Sequence, residues 1–466
     1  MDGSRDSILP VGEDASTFQN RLAGLEHCIP SSLIEQVVQQ SGCASKRKCR
    51  LNAHFTVWLV LAMGIFTECP FRTVYRHCRR AKTDGRIPTR GALCKARQRI
   101  GTKPLLLLFG MVVELLCRPD VPGGFYAGLR LMGIDGVSFT APSTTANIRA
   151  FGLPKGGHTS ASTGGYPLVS KVSLVELGSH VEYAFAIRSQ KQGEPTIARR
   201  LMKRIERGML VLLDAGFFGY PLLRSLLGTG AEFLVNVSQT PLLAPFQVLP
   251  DGSSLSRIYA STSDRERDRN GTVVRVIKYQ LNDPQRPGHG ETRRLVTTLL
   301  DAETHPAETL IVLYHERWEH ELLNDEQKTH QDPRRPQKPT HLRSETPGGV
   351  VQELLGLSLA HYVIRKTMFD AAVLSGVDPD RISFVGAFQI LKARLPECPP
   401  RATPAEIKTW YQNLLSEIAD EKVPPRRNRF NPRVIKRGRC KWPSKKPTHN
   451  QPPKLLKTFR ESILIL

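Results

Sequence analysis

Apolar positions in the first 120 residues recur with helical spacing. SSLIEQVVQQSG (31–42) opens on Ser and closes on Gly, which predicts a capped amphipathic helix. The almost unbroken apolar run FTVWLVLAMGIF (55–66) predicts a buried helix, and PFRTVYRHCRRAK (70–82) another. GALCKARQRIG (91–101) reads as a short helix carrying Lys95, Arg97 and Arg99 before a Gly stop. From about residue 130 the pattern turns to strands. LRLMGID (129–135) is an apolar run ending in Asp135, and LVSKVSLVELGSHVEYAFAIRS (168–189) reads as two strands joined at Gly178-Ser179. EPTIARRLMKRIERG (194–208) predicts a helix with Pro in its first turn and Gly past its end. MLVLLD (209–214) is a buried strand ending in Asp214; YPLLRSLLGTG (220–230) is a helix and AEFLVNVS (231–238) a strand. The order is therefore β-β-β-α-β-α-β, with a carboxylate ending the first strand and another the fourth.

Residues 238–300 are β-rich and helix-poor. A long helix is expected from about Pro306 to His330, then a polar loop and a second long helix, GGVVQELLGLSLAHYVIRKTMFDAAV (348–373), with further helix before a basic tail. No internal repeat is visible.

Composition narrows the class. The chain has 466 residues, 40% of them hydrophobic, which suits a globular protein of several domains. Its longest apolar runs (55–66 and 105–117, the latter broken by Glu114) fall short of the ~20 residues that cross a bilayer. The opening MDGSRDSILPVGED lacks the apolar stretch of a signal peptide, so a cytoplasmic protein is expected. The nine cysteines form no C-x-x-C pair and no compact Cys/His quartet, which favours reduced thiols over a structural zinc.

The net charge of +23 is unevenly spread: between Lys422 and Arg460 stand fourteen Lys/Arg and no Asp or Glu. Such a Pro-rich basic segment, which includes Arg426, Arg427, Lys436 and Arg437, cannot bury a core and is neutralised by a polyanion. Counterion release from phosphates makes nucleic acid its natural partner. A merely solubilising tail is the alternative; a membrane surface is disfavoured because neither an amphipathic anchor nor a lipidation motif accompanies it.

The densest chemistry lies in YHERWEHELLNDEQK (314–328). A zinc-hydrolase helix places two histidines four residues apart. His315 and His320 are five apart, diverge by roughly 140° on a regular helix and cannot grip one ion. On the same wheel Tyr314, Arg317, Glu321 and Lys328 fall within a stripe about 60° wide and about 21 Å long. A guanidinium and an ammonium suit successive phosphates while the carboxylate holds a metal. A solvated, ion-paired face fits the same geometry.

The spacing Y-x2-R-x3-E-x6-K of Tyr314, Arg317, Glu321 and Lys328 resembles the signature of bacterial DDE transposases of the insertion-sequence-four family. GIDGVSFTAPSTTANIRAFG, around Asp135, is similar to that family's first-aspartate segment, and VLLDAGFFGY, around Asp214, to its second. LVTTLLD…LIVLYHERWEHELLNDEQKTH and LRSETPGGVVQELLGLSLAHYVIRK are similar to the third, and ECPFRTVYRHC…RGALCKARQRIG to the helical head. The resemblance spans about residues 30 to 440. It implies an α/β ribonuclease H-like catalytic core interrupted by a β-rich insertion, with an all-helical N-terminal domain and a helical, basic C-terminal region. The implied divisions are a DNA-binding head (1–125), the core (126–237 and 301–390), the insertion (238–300) and the C-terminal region (391–466).

In such a core Asp135, Asp214 and Glu321 would converge as catalytic ligands of two Mg²⁺ or Mn²⁺ ions. The implied reaction is cut-and-paste transposition: water nicks the element end, and the freed 3′-hydroxyl carries out strand transfer. Implied partners are the inverted repeats at the element's ends, target DNA and a second copy of the chain, in a bacterial, nucleoid-associated setting. Tyr314, Arg317 and Lys328 would contact phosphates beside the cut, and Trp318 would stack on a displaced base or be half-buried. Lys95, Arg97, Arg99, Arg426, Arg427, Lys436 and Arg437 would add DNA contacts.

Two departures stand out. Ala215 follows the second aspartate where the family often has Arg, and residues 238–300 lack the Trp that some members use on a flipped base, leaving Tyr279 or Phe246 as substitutes. A stand-alone metal-dependent nuclease and an inactive DNA-binding relic remain as alternatives.

Overall fold

The computed structural model describes residues 22–45, 49–78, 87–154, 165–189, 191–286, 288–333, 340–399, 402–424 and 455–466, with the backbone alone at Trp318. Five helices come first: α1 (Ser31–Ser41), α2 (Ala53–Ile65), α3 (Phe71–Cys78), α4 (Arg90–Ile100) and α5 (Lys103–Val112). Pro30, not Ser31, takes the N-cap position of α1, and Gly42 closes it at φ 72°, the left-handed conformation that glycine adopts without strain. The Asn52 side chain caps α2 by accepting from the Phe55 amide at 2.8 Å.

The strands follow: β1 (Phe125–Tyr126) and β2 (Leu129–Thr140), then α6 (Thr145–Phe151), β3 (Leu168–Glu176) and β4 (Val181–Ser189). Next come α7 (Glu194–Ala198), which tightens into a 3₁₀ turn, β5 (Met209–Leu213), α8 (Tyr220–Leu227) and β6 (Glu232–Val237). β7 (Gln247–Val248), β8 (Ser254–Ile258), α9 (Thr262–Glu266), β9 (Thr272–Leu281) and β10 (Arg293–Thr297) fill the next sixty residues. These strands form no separate unit. They extend one 11-stranded sheet ordered β4-β3-β2-β5-β6-β10-β9-β8-β7, because β10 pairs antiparallel with β6. β2, β5 and β6 are mutually parallel. Parallel strands are covered on both faces, which is why MLVLL in β5 is buried throughout.

Alternation along these strands separates two cores. Met132, Ile134, Val211 and Leu213 face one way, onto Ile197, Leu201, Leu222 and Leu226. Leu131, Leu210 and Leu212 face the other, onto Leu310 and Ile311 of α10 (Ala307–Leu313).

The expected single helix over 306–330 is broken. α10 passes into a 3₁₀ turn (Tyr314–Arg317), then α11 (Trp318–Asp325), then a π-helical turn (Glu326–Gln331). The π turn has a polar cause, since each of its inward side chains finds a buried partner. Arg365 Nε donates to Glu326 at 2.9 Å, Lys171 Nζ donates to Gln327 Oε1 at 2.8 Å, and Gln331 donates to the Gly64 and Leu357 carbonyls at 3.0 Å each. A regular wheel has no place for that turn.

α12 (Pro347–Ser375), α13 (Phe384–Arg394) and α14 (Pro404–Asp420) complete the helices, and β11 (Ile463–Ile465) returns to pair with β9, an end the pattern did not predict. α12 is the hub. Trp58 and Leu61 of α2 share one apolar core with Leu355, Leu359 and Tyr362 of α12 and with Leu414 and Ile418 of α14. The N-terminal helices therefore close no core of their own. α2 and α12 cross at Gly64 and Gly356, where a Cβ on either would sit 2.1 or 2.4 Å from the opposing carbonyl oxygen. No helix among the described residues is long and apolar enough to cross a membrane.

Candidate active site

Ile134 pairs with Leu213 across the parallel β2–β5 ladder, so Asp135 and Asp214 are the next residues on neighbouring strands. In the alternation of side chains Asp135 keeps phase with Leu131, and Asp214 with Leu210 and Leu212. Both carboxylates thus leave the sheet on the α10–α11 side, Asp214 just past the end of β5 and Asp135 where the β2–β5 ladder stops, although β2 itself runs five residues further to Thr140 beside β3 rather than ending at the aspartate.

α11 lies over them. The Tyr314 hydroxyl donates to the Leu213 carbonyl at 2.9 Å, tying the helical segment to the residue before Asp214. In the 3₁₀ turn residues three apart eclipse, and the Arg317 guanidinium lies 5.9 Å from the Tyr314 ring centre. Arg317 Nη2 then donates to Glu321 Oε1 at 3.2 Å. Tyr314, Arg317 and Glu321 therefore share a face, as expected, and that face meets Asp135. Asn324, one turn on from Glu321, donates to Asp135 Oδ2 at 3.3 Å, and the Gly136 amide donates to Oδ1 at 2.8 Å. Asp214 accepts from the Gly216 amide at 2.9 Å and so opens the short turn after β5. Burial pushes Asp135 up to about 6. That value already includes the smaller upward push of Asp214 and Glu321 and the downward pull of the Gly136 amide and Arg317.

His320 is fully buried beneath these acids. Its Nε2 faces the Ser173 carbonyl at 3.3 Å and must donate, which leaves the Nδ1 lone pair facing Asp135 Oδ2 at 3.7 Å without a hydrogen bond. Burial lowers its pKa to about 4, so the ring is neutral. A lone pair set against a carboxylate is a site for a cation. The all-oxygen donor set of Asp135, Asp214 and Glu321 fits a hard ion such as Mg²⁺ or Mn²⁺.

A second cluster lies behind the helix. Among the described residues, the three metal-capable atoms that come within 4.8 Å of one another belong to His180, Glu319 and Asp380, not to the three acids above. His180 Nε2 lies 2.8 Å from Glu319 and 3.3 Å from Asp380. Burial and Arg365 depress its pKa, but the carboxylates of Asp380, Glu319 and Glu326 outweigh them and hold it at about 10, which makes it an imidazolium buried among acids. This cage fixes the back of α11 to the β3–β4 turn.

Residues 127–362, more than half the chain, match the family model for the transposase DDE domain, and residues 19–110 match that for the insertion element 4 transposase N-terminal region. The chain belongs to the insertion-element-4 family of DDE transposases. Across 92% of its length and 95% of the relative's, the transposase is 28% identical to transposase InsG for insertion sequence element IS4 of Escherichia coli K12. Putative transposase InsZ of the same organism is 25% identical over 43% of this chain and 66% of its own. A solved structure of the piggyBac transposase synaptic complex with hairpin DNA aligns over 87% of this chain and 86% of that one, at 11% identity. Its TM-score of 0.41 is too low to establish a common fold. By its family the protein is a DNA-cleaving and strand-transferring enzyme.

Other expected DNA contacts divide. Lys95 and Arg99 of the transposase are exposed. Arg97 is not: it is 4% exposed and donates to Gln352 at 3.1 Å, Ser344 at 3.0 Å and the Gly349 carbonyl at 2.9 Å. Its place as a DNA contact is corrected to that of a buried tie between α4 and α12. Lys328 is half-buried within the π turn, off the regular helix on which the stripe was drawn. The Trp318 side chain and Arg426, Arg427, Lys436 and Arg437 lie outside the described residues. Tyr279 is 2% exposed, too buried to stack on a base, whereas Phe246 is exposed on the loop before β7 and lies against Arg257. The pattern missed Asn324 and His320, which were legible only as neighbours of Glu321 on one helix.

Proposed function

We propose that Asp135, Asp214 and Glu321 are the catalytic carboxylates and that the β4-β3-β2-β5-β6 half of the sheet, with α10–α12, is a ribonuclease H-like core. The observation that carries this reading is that two aspartates stand side by side where the parallel β2–β5 ladder stops, beneath the helix bearing Glu321, with Asp135 raised to about 6 by burial and by its acidic neighbours. Two divalent ions held by these carboxylates would supply Lewis-acid charge to the attacking and departing oxygens of an in-line displacement at phosphorus.

The chain's own groups set the geometry. Tyr314 anchors the helical segment to β5, Arg317 orients Glu321, and Asn324 with the Gly136 amide fixes the Asp135 carboxylate. Neutral His320 closes the floor against water. Arg317 and Lys328 would meet phosphates once DNA lies across this face, with Trp318 beside them; Lys95, Arg99 and the basic segment around Arg426, Arg427, Lys436 and Arg437 would hold the flanking duplex.

The substrate is the inverted repeat at the element's own end. Water cleaves the end phosphodiester and frees a 3′-hydroxyl. That hydroxyl then attacks a second phosphodiester, joining one strand as it displaces the other, first in excision and then on target DNA. Two copies would pair the ends. Asp214→Ala should abolish Mg²⁺-dependent end cleavage, by at least about 10³-fold, while end binding in a gel-shift assay stays within twofold. Equal cleavage by that variant would remove the mechanism.

A further inference from the structure

We infer that Glu194 is a fourth acid of this site, reaching Gly136 of β2 beside the end of β5 from the opposite face of the sheet to share the divalent ions with Asp135 and Asp214. The inference rests on the reading of those aspartates as metal ligands. Glu194 is the first residue of α7, which packs on the face of the sheet away from α11. Its side chain lies directly over Gly136, next to Asp135: a Cβ at position 136 would stand 2.3 Å from Glu194 Oε1 and 2.5 Å from its carboxyl carbon. Gly136 has no left-handed φ to require glycine, so the requirement is space. That space is taken by a carboxylate.

An acid opening a helix is ordinarily turned towards its own first amides. Glu194 instead has no hydrogen-bond or ion-pair partner among the described residues and is turned onto Gly136 of β2. The one guanidinium of the site, Arg317, donates to Glu321 on the α11 side, and no basic side chain among the described residues pairs with Glu194; acids gathered in this way are stabilised by a shared cation. A separate observation points the same way: the His320 Nδ1 lone pair, fully buried, is aimed at Asp135 from below with no hydrogen bond. Asp135 is thus bracketed by the Glu194 carboxylate on one side and the His320 imidazole nitrogen on the other. Oxygen donors from both faces of the sheet can approach the six ligands that Mg²⁺ demands more nearly than three acids on one face can.

The test uses full-length protein without DNA, titrated with Mn²⁺ and followed by electron paramagnetic resonance, beside the Mg²⁺ dependence of end cleavage. Glu194→Gln should weaken Mn²⁺ binding and raise the half-saturating Mg²⁺ about tenfold or more, with gel-shift affinity for end DNA unchanged. Gly136→Ala, which displaces the Glu194 carboxylate, should shift both readouts the same way. Glu194→Asp, which keeps the charge on a shorter arm, should fall between. Wild-type Mn²⁺ affinity and Mg²⁺ dependence in Glu194→Gln, alongside their loss in Asp214→Asn, would overturn the inference and leave the three-acid reading standing. Unchanged Mn²⁺ binding in both variants would overturn the two together.

Discussion

Asp135 carries the electrostatic signature of the candidate site. Burial and the neighbouring acids hold it at about 6 against an ordinary value of 3.8. Without metal, this shift penalises the folded state progressively as pH rises from near 3.8 to about 6, because the unfolded chain ionises first. With metal the direction reverses, since an ion binds only the carboxylate and must displace the proton. Apparent Mg²⁺ affinity in end cleavage should therefore fall about tenfold per pH unit below about 6 and level off above 7. A Mg²⁺ titration at pH 5, 6, 7 and 8 measures it, and a flat profile would contradict the assignment. His320 does not blur the window, because its pKa of about 4 lies below it.

Among the elements, the parallel strands were legible and the helices around them less so. β5 read directly from an unbroken apolar run because both its faces are buried, and Asp214 was visible at its end for the same reason; β2 was found but cut short at Asp135, because the half-buried stretch after it, to Thr140, pairs only with β3. The stripe on 314–328 was found by assuming one regular helix; the structure keeps Tyr314, Arg317 and Glu321 together but turns the chain through 3₁₀ and π segments. Those turns follow from buried partners 156 residues upstream on β3 and 39 residues downstream on α12, which no local pattern encodes.

Arg97 failed for a related reason. A basic residue on a short helix reads as solvated unless its partners on α12 are known. Arg97→Ala should therefore cost about 2–4 kcal/mol in stability by leaving Gln352 and the Gly349 carbonyl unpaired. Lys95→Ala with Arg99→Ala should lower end affinity without moving the melting temperature. Thermal melts and gel shifts on the same variants distinguish the two roles, and an Arg97→Ala protein that melts like wild type would show the tie to be dispensable.

At the scale of the whole molecule the architecture is fused. One sheet runs from β4 to β7 with β11 returning to it, and one helical core joins the N-terminal helices to α12–α14. This fusion was hidden in the sequence, where segments look like successive units. It places the end of α11 against both halves: its front face on β2 and β5, its back on the His180, Glu319 and Asp380 cage. The molecule thus has two acidic clusters on α11: the rear one is neutralised by the His180 imidazolium and Arg365, and the account assigns the reaction to the front one. Anomalous scattering from Mn²⁺ in crystals of the full chain bound to its end DNA tests that assignment most directly. The account predicts two Mn²⁺ peaks about 4 Å apart, each within about 2.2 Å of carboxylate oxygens from Asp135, Asp214 or Glu321. Peaks confined to the His180 cage, with none at the strand ends, would contradict it.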